Sequence, residues 1–283
     1  MTIQEKIQEY QQKIEKLKTQ KLTIGTAVDL RWHDNKCPYC GAERVKLSKS
    51  RVLEEKFGVT YSVCKCDEAQ ADLKRSKDIT DFSEDVDRQI EFCEGMIENI
   101  KKNSEKMLKE SLGRRFADRT FKSFIRNEEN GRAFDICYEY AMGFEKNEKG
   151  EGLILCGNPG TGKTHLAAAI SHKVIEEFGI PVEFKTSIEI HSELTNFEKE
   201  TLNKYKKCDL LIIDDLGKEK TTEWRQEKIF EIINSRYEDY LPTLITTNLA
   251  PKQFAGVFGE AFASRLIESN KVVPVTGKDW RRK

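Results

Sequence analysis

The stretch GNPGTGKT at residues 157–164 decides the fold class of this chain. It fits the pattern G-x-x-x-x-G-K-[ST], follows the apolar run 153–156 and opens a helical pattern. Glycines let backbone amides surround a polyphosphate, the lysine reaches its outer oxygens and the threonine hydroxyl can bind Mg2+. The alternative is an ordinary glycine-rich turn, but strand, loop and helix agree with phosphate binding. The predicted nucleotide-binding residues are Gly157, Asn158, Pro159, Gly160, Thr161, Gly162, Lys163, Thr164 and His165.

Further short apolar runs alternate with helical stretches on the carboxyl side of this loop. They lie at 181–185, 209–214, 243–247 and 271–275. Strands that alternate with helices are typical of a parallel sheet with right-handed crossovers. We therefore predict an α/β fold at 151–283, with a parallel sheet flanked by helices.

Two carboxylates follow the apolar residues 210–213 at the end of the third predicted strand, counted from the run 153–156. Asp214 is the predicted Mg2+ ligand beside Thr164, and Asp215 is predicted to orient or deprotonate an attacking water. Glutamate commonly fills the second role, so the reach is shorter by one methylene here. The alternative is that Asp215 only starts a turn before Gly217.

Two later polar residues complete the predicted catalytic set with Lys163 and Asp215. Asn248 ends the fourth strand and can hydrogen-bond the water and the terminal phosphate, although asparagine after a strand is also a common turn residue. Arg265 lies in a helical stretch and can stabilise charge on the transferred phosphoryl group, within one chain or across a subunit interface. A surface salt bridge is the plainer role for this arginine.

The amino-terminal part has a different pattern. Apolar residues at helical spacing predict one amphipathic helix at 1–24 and a second, through Val86 and Met107, that stops near Gly113. Between them lie the doublets CPYC and CKC, whose thiolates suit a structural Zn2+ site next to a small hairpin. Four unrelated thiols are the alternative, and His33 is a reserve ligand. The predicted ligands are Cys37, Cys40, Cys64 and Cys66.

Composition limits the remaining choices. The 283 residues include 48 basic and 48 acidic side chains, so a formal charge of zero argues against a nonspecific polyanion binder. The eight cysteines come without a secretory signal, and no run is long and apolar enough to span a membrane. We expect a soluble, cytoplasmic protein with a helical, zinc-binding domain at 1–112, a linker at 113–150 and an ATPase domain at 151–283.

Taken together, GNPGTGKTH, LLIIDDLG, TTN and ASRL resemble the Walker A, Walker B, sensor 1 and arginine-finger motifs of AAA+ ATPases. The stretch 208–283 is similar to helicase loaders of the DnaC/DnaI type, and residues 1–112 match that branch by layout more than by motif. In such loaders the arginine at the position of Arg265 acts on the nucleotide of the neighbouring subunit, which implies self-association. Residues 266–283 are too few for a helical lid, as in this branch, and Arg281 resembles its Gly-x-Asp-aromatic-Arg tail.

This resemblance implies an ATP-dependent loader that grips the replicative hexameric helicase with its amino-terminal domain and places it on single-stranded DNA. Two alternatives stay open. One is a transposition ATPase of the IstB type, where a cysteine-rich domain is not expected. The other is an adaptor that binds ATP as a switch with negligible turnover, and the pair Asp214 and Asp215 is the feature that discriminates between adaptor and ATPase.

Overall fold

The five apolar runs form the strands of one sheet, as predicted. A computed structural model describes residues 2–25, 36, 42, 66–196, 198–217 and 223–280. The strands are β1 (Gly152–Cys156), β2 (Val182–Thr186), β3 (Leu210–Leu216), β4 (Thr243–Thr247) and β5 (Asn270–Pro274). Their order is β2-β3-β4-β1-β5 and every pairing is parallel, which confirms the α/β class.

Helices cover both faces of the sheet because successive side chains of a strand point to opposite sides. In β1, Leu153 and Leu155 pack into one apolar cluster, whereas Ile154 and Cys156 pack into the other. The helices of this part are α3 (Gly131–Met142), α4 (Lys163–Phe178), α5 (Ser187–Asn196), α6 (Glu198–Lys207), α7 (Glu223–Glu238), α8 (Phe254–Phe258) and α9 (Glu260–Glu268). The two apolar clusters lie on opposite faces of the sheet and hold its strands in place. The polar residues of the site lie at the ends of these strands.

The chain divides into two compact units, Lys6–Asn99 and Ile100–Lys283 with Met1–Glu5. The segment 113–150, predicted as a linker, contains α3, whose Ala133 and Cys137 are buried in the cluster that includes α4. The segment 113–150 is therefore part of the compact unit that contains the sheet. The domain limits at 112 and 150 stay predictions.

The two predicted amino-terminal helices are α1 (Ile3–Gly25) and α2 (Asp67–Phe116). Their apolar seams include the buried Ile7 and Ile14 in α1 and Val86 and Cys93 in α2. Helix α2 begins earlier than its seam predicts, because residues 67–85 are polar helix formers with few apolar positions. Its regular conformation breaks at Gly113, where φ is 59°. No helix among the described residues could span a membrane.

The predicted zinc site falls mostly outside the described residues. Cys37, Cys40, Cys64 and His33 lie there, and Cys66 directly precedes α2. Within the described ranges, no three histidine, cysteine, aspartate or glutamate side chains are grouped closely enough to hold a metal.

Candidate nucleotide site

The glycine-rich loop leaves β1 and ends where Lys163 begins α4. The Lys163 ammonium is buried and donates hydrogen bonds of 2.8 Å to the carbonyl oxygens of Gly157 and of Asn158. The Thr161 hydroxyl donates to the same Asn158 carbonyl at 3.0 Å. The loop thus curves round its own lysine, with the amino terminus of α4 facing the concave side.

Two positions of the loop require glycine. Gly160 has a φ of 82° and Gly162 a φ of 103°, which other residues adopt only with strain. A Cβ on Gly160 would lie 1.7 Å from Asp279 Oδ1, and one on Gly162 would lie 2.8 Å from a ring carbon of Phe124. At these two positions the loop therefore presents only backbone.

Asp214 stands buried near the carboxyl end of β3. Its Oδ1 accepts hydrogen bonds from the hydroxyls of Thr164, at 2.8 Å, and Thr246, at 2.6 Å. Burial raises the pKa of the Asp214 carboxyl, and these two hydrogen bonds act against that rise. A carboxylate beside a threonine hydroxyl offers the oxygen ligands that Mg2+ prefers, so the pair fits that ion.

Asp215 departs from the regular strand. Its φ is 58°, and the pairing of β3 with β4 shifts register between Ile213 and Leu216. The Asp215 N–H donates to the Thr246 hydroxyl at 2.9 Å. This irregularity re-aims the Asp215 side chain so that it lines the cavity described next, as bulges near functional sites commonly do.

A cavity of about 400 Å³ opens over the glycine-rich loop. Its volume lies within the range of small-molecule pockets. The predicted residues in its lining are Pro159, Gly160, Gly162, Lys163, Thr164, His165, Asp215 and Asn248. Asp214 lines a smaller cavity of about 230 Å³ that shares Thr164 and Asp215 with the first. The ends of β3 and β4 therefore bring the predicted polar groups to one place.

Arg265 does not line this cavity. It lies on α9, and its Cζ stands 5.2 Å from the centre of the Phe230 ring. A phosphate bound in the same chain's cavity would not meet it in this arrangement. Arg281 is outside the described residues.

The connector 114–125 supplies part of the cavity that sequence reasoning did not assign. Its members in the lining are Arg115, Phe116, Arg119, Ser123, Phe124 and Ile125. The connector is attached to α4, because His165 Nε2 lies 2.9 Å from the Thr120 carbonyl and the His165 ring meets Phe124 edge to face. Burial lowers the pKa of His165, which favours the neutral imidazole. The basic and aromatic run RRFADRTFKSF at 114–124 was the sequence feature that could have indicated a contact with the nucleotide.

The chain's last described residues also reach the loop. The Trp280 N–H donates to the Gly160 carbonyl at 3.2 Å, and Trp280 lines the cavity. Trp280 is the aromatic residue of the tail pattern noted in the sequence, but the pattern did not indicate a contact with the glycine-rich loop.

A glycine-rich loop connects β1 to α4, and two carboxylates lie at the carboxyl end of β3 in the same parallel sheet. This arrangement defines a P-loop nucleotide-binding protein of the AAA+ class. The model of the family described as IstB-like ATP binding protein matches residues 140–283. The chain belongs to this family of ATP-binding proteins.

Relatives carry different roles in their names. The replicative helicase loader DnaI of Bacillus subtilis (strain 168) is 31% identical over 153 residues, which are 48% of this chain and 48% of DnaI. A putative ATP-binding protein in an insertion sequence, Rv3427c of Mycobacterium tuberculosis (strain ATCC 25618 / H37Rv), is 29% identical over 144 residues, 47% of this chain and 57% of that protein. The chain thus spans about half the length of these relatives.

Among solved structures, the crystal structure of the DnaC helicase loader aligns with a TM-score of 0.54 and 28% identity. The alignment covers 58% of this chain and 99% of that one. The resemblance to DnaC/DnaI-type AAA+ loaders that the motifs indicate is therefore confirmed.

Sequence reasoning did not assign a role to Thr246, but the structure places its hydroxyl between two residues of the site. The hydroxyl donates a hydrogen bond to the Asp214 carboxylate and accepts one from the Asp215 N–H. We expect Thr246→Val to lower the rate of ATP hydrolysis about tenfold by leaving both groups a partner short, with ATP affinity changed less than about threefold. Thr246→Ser should restore the rate. The matched control is Thr247→Val, whose hydroxyl donates to the Leu216 carbonyl instead. Equal rate losses at both positions would show a merely structural role.

Proposed function

We propose that this chain hydrolyses ATP at the cavity over the glycine-rich loop. The Lys163 ammonium exchanges two carbonyl oxygens of the loop for phosphate oxygens. Asp215 and Asn248, on neighbouring strand ends, orient a water and the terminal phosphate between them. Thr164 and Asp214 would hold Mg2+, which would neutralise part of the phosphate charge.

We propose further that the transition state is completed by a second copy of the chain. Arg265 lies outside its own cavity, which supports a role on the nucleotide of a neighbouring subunit, as the resemblance to AAA+ proteins implies. Hydrolysis would then require assembly, and ATP would be part of the interface between subunits.

The work done by this ATPase, we propose, is to place the replicative helicase on single-stranded DNA in the cytoplasm. The observation that carries this proposal is the alignment of this chain with nearly all of a helicase loader's solved chain at 28% identity. The unit Lys6–Asn99 would grip the helicase. Zn2+ held by Cys37, Cys40, Cys64 and Cys66 would stabilise its cysteine-rich part, and about one zinc per chain by elemental analysis would support that.

The test is complex formation between the full chain and the replicative helicase of its own source, with ATPase measured in the same samples. We expect a stable complex and an ATPase rate that responds to helicase or single-stranded DNA. The absence of a complex under ATP would overturn the loader function while leaving the ATPase proposal standing.

A transposition ATPase remains the second candidate, because the family carries the IstB name and one relative belongs to an insertion sequence. It predicts an ATPase stimulated by duplex DNA and no helicase complex. ATP binding without turnover, even with helicase and single-stranded DNA present, would instead support the adaptor.

Lys163 provides the most direct test of nucleotide binding. We expect Lys163→Ala to weaken ATP binding about a hundredfold, because two or more charge-assisted hydrogen bonds to phosphate are lost. Isothermal titration calorimetry of the full chain measures this. The control is Lys173→Ala on the same helix, where the ammonium pairs with Glu177. Equal affinities for wild type and Lys163→Ala would contradict the assignment of the cavity.

A further inference from the structure

Arg115 occupies the place where two cavities meet. It lines the cavity over the glycine-rich loop and also the smaller one beside Asp214. The described residues that line both cavities are Arg115, Phe116, Thr164 and Asp215. Arg115 therefore stands at the end of the site where the carboxylates and the Thr164 hydroxyl lie, which is the end assigned to the terminal phosphate.

The backbone that carries Arg115 is held in place by its neighbour. The Phe116 carbonyl lies 3.3 Å from His172 Nε2 on α4. The Phe116 ring packs 5.2 Å from the ring of Phe184 on β2, against the core cluster. On the other side, the positive φ of Gly113 ends the regular helix. The Arg115 side chain thus starts from an anchored point on the cavity wall.

Among the described residues, none accepts a hydrogen bond from the guanidinium of Arg115. Its side chain is exposed, and its Cζ lies 5.4 Å from the centre of the Phe116 ring. No carboxylate of the described residues forms an ion pair with Arg115, nor with Arg119, the other connector arginine in the lining. A planar guanidinium with free donors suits bidentate contact with phosphate oxygens.

We propose that Arg115 binds the terminal phosphate of ATP bound in its own chain and so makes the site prefer ATP to ADP. Arg119 lines the larger cavity but not the smaller one, and it lies near His165, the residue after Thr164. It would hold phosphates that both nucleotides possess. This inference rests on the proposed nucleotide site. In it, Arg115 of the same chain acts in addition to Arg265 of a neighbouring subunit.

The experiment compares the affinities of the full chain for MgATP and MgADP by calorimetry. We expect Arg115→Ala to weaken ATP binding about tenfold or more and ADP binding less than about threefold. Arg115→Lys should recover part of the ATP affinity because it keeps the charge without the planar fork. Arg119→Ala should weaken both nucleotides alike. Lys122→Ala removes an exposed cation of the same connector that lies outside both cavities, and should change neither.

The ratio of the two affinities separates the possible failures. It is insensitive to a partly unfolded sample, because both nucleotides are titrated into the same preparation. An unchanged ratio in Arg115→Ala, or equal weakening for ATP and ADP, would overturn the role of Arg115. Wild-type protein that binds neither nucleotide would overturn the proposed function itself.

Discussion

Replacing Arg265 by alanine is expected to lower the rate of ATP hydrolysis about a thousandfold, since arginines that reach a transferred phosphoryl group contribute effects of that size. ATP affinity of the isolated chain should stay unchanged, because Arg265 does not line its own cavity. Steady-state phosphate release and calorimetry on the same preparation measure the two quantities. Lys252→Ala, which removes an exposed cation that precedes α8, is the control and should leave both unchanged.

Mixing two inactive variants decides whether Arg265 acts on a neighbouring subunit. Asp215→Ala lacks the residue proposed to orient the water but keeps Arg265, whereas Arg265→Ala has the reverse composition. In a mixed assembly, some sites combine an intact Asp215 with an intact Arg265 from the next chain, so activity should reappear. A mixture as inactive as its components, under conditions where chains associate, would contradict action in trans.

The second large effect concerns stability. Arg236 is fully buried on α7, and its guanidinium binds neutral groups from separate segments. The Nη1 atom donates to the carbonyls of Cys208, at 2.7 Å, and Tyr205, at 2.9 Å, and Nη2 donates to that of Pro242, at 2.7 Å. The Nε atom donates to the Thr243 hydroxyl at 3.0 Å. These bonds join α7 to the end of α6, to the residue that follows α6 and to the start of β4.

We therefore expect Arg236→Met to lower the free energy of unfolding by about 3 to 5 kcal/mol, because it leaves several buried carbonyls unpaired. The melting temperature should fall by about 10 °C. Urea and thermal unfolding of the full chain, followed by circular dichroism, measure these changes. Arg132→Met removes an exposed arginine of α3 and should cost less than about 0.5 kcal/mol. A loss below about 1 kcal/mol at Arg236 would show that the carbonyls find other partners.

Much of the fold follows from local pattern. The five apolar runs became strands within two residues of their predicted bounds, and the helical stretch predicted around Arg265 is α9. Asn248 and Asp215 follow neighbouring strands, because β4 pairs with β3, and both residues line one cavity. The start of α2 was placed too late, since its first turns have no apolar seam to show them.

The sequence by itself determined the class of the site, because loop, strand and carboxylates are local patterns whose spacing is set by the backbone. It did not reveal the partners that hold those groups. Thr246 meets Asp214 from 32 residues away, and Arg236 meets the Tyr205 carbonyl from 31 residues away. Only the tertiary structure decides such pairs. Buried polar groups pair with whatever the packing of strands and helices brings next to them, and the local sequence pattern does not predict those neighbours.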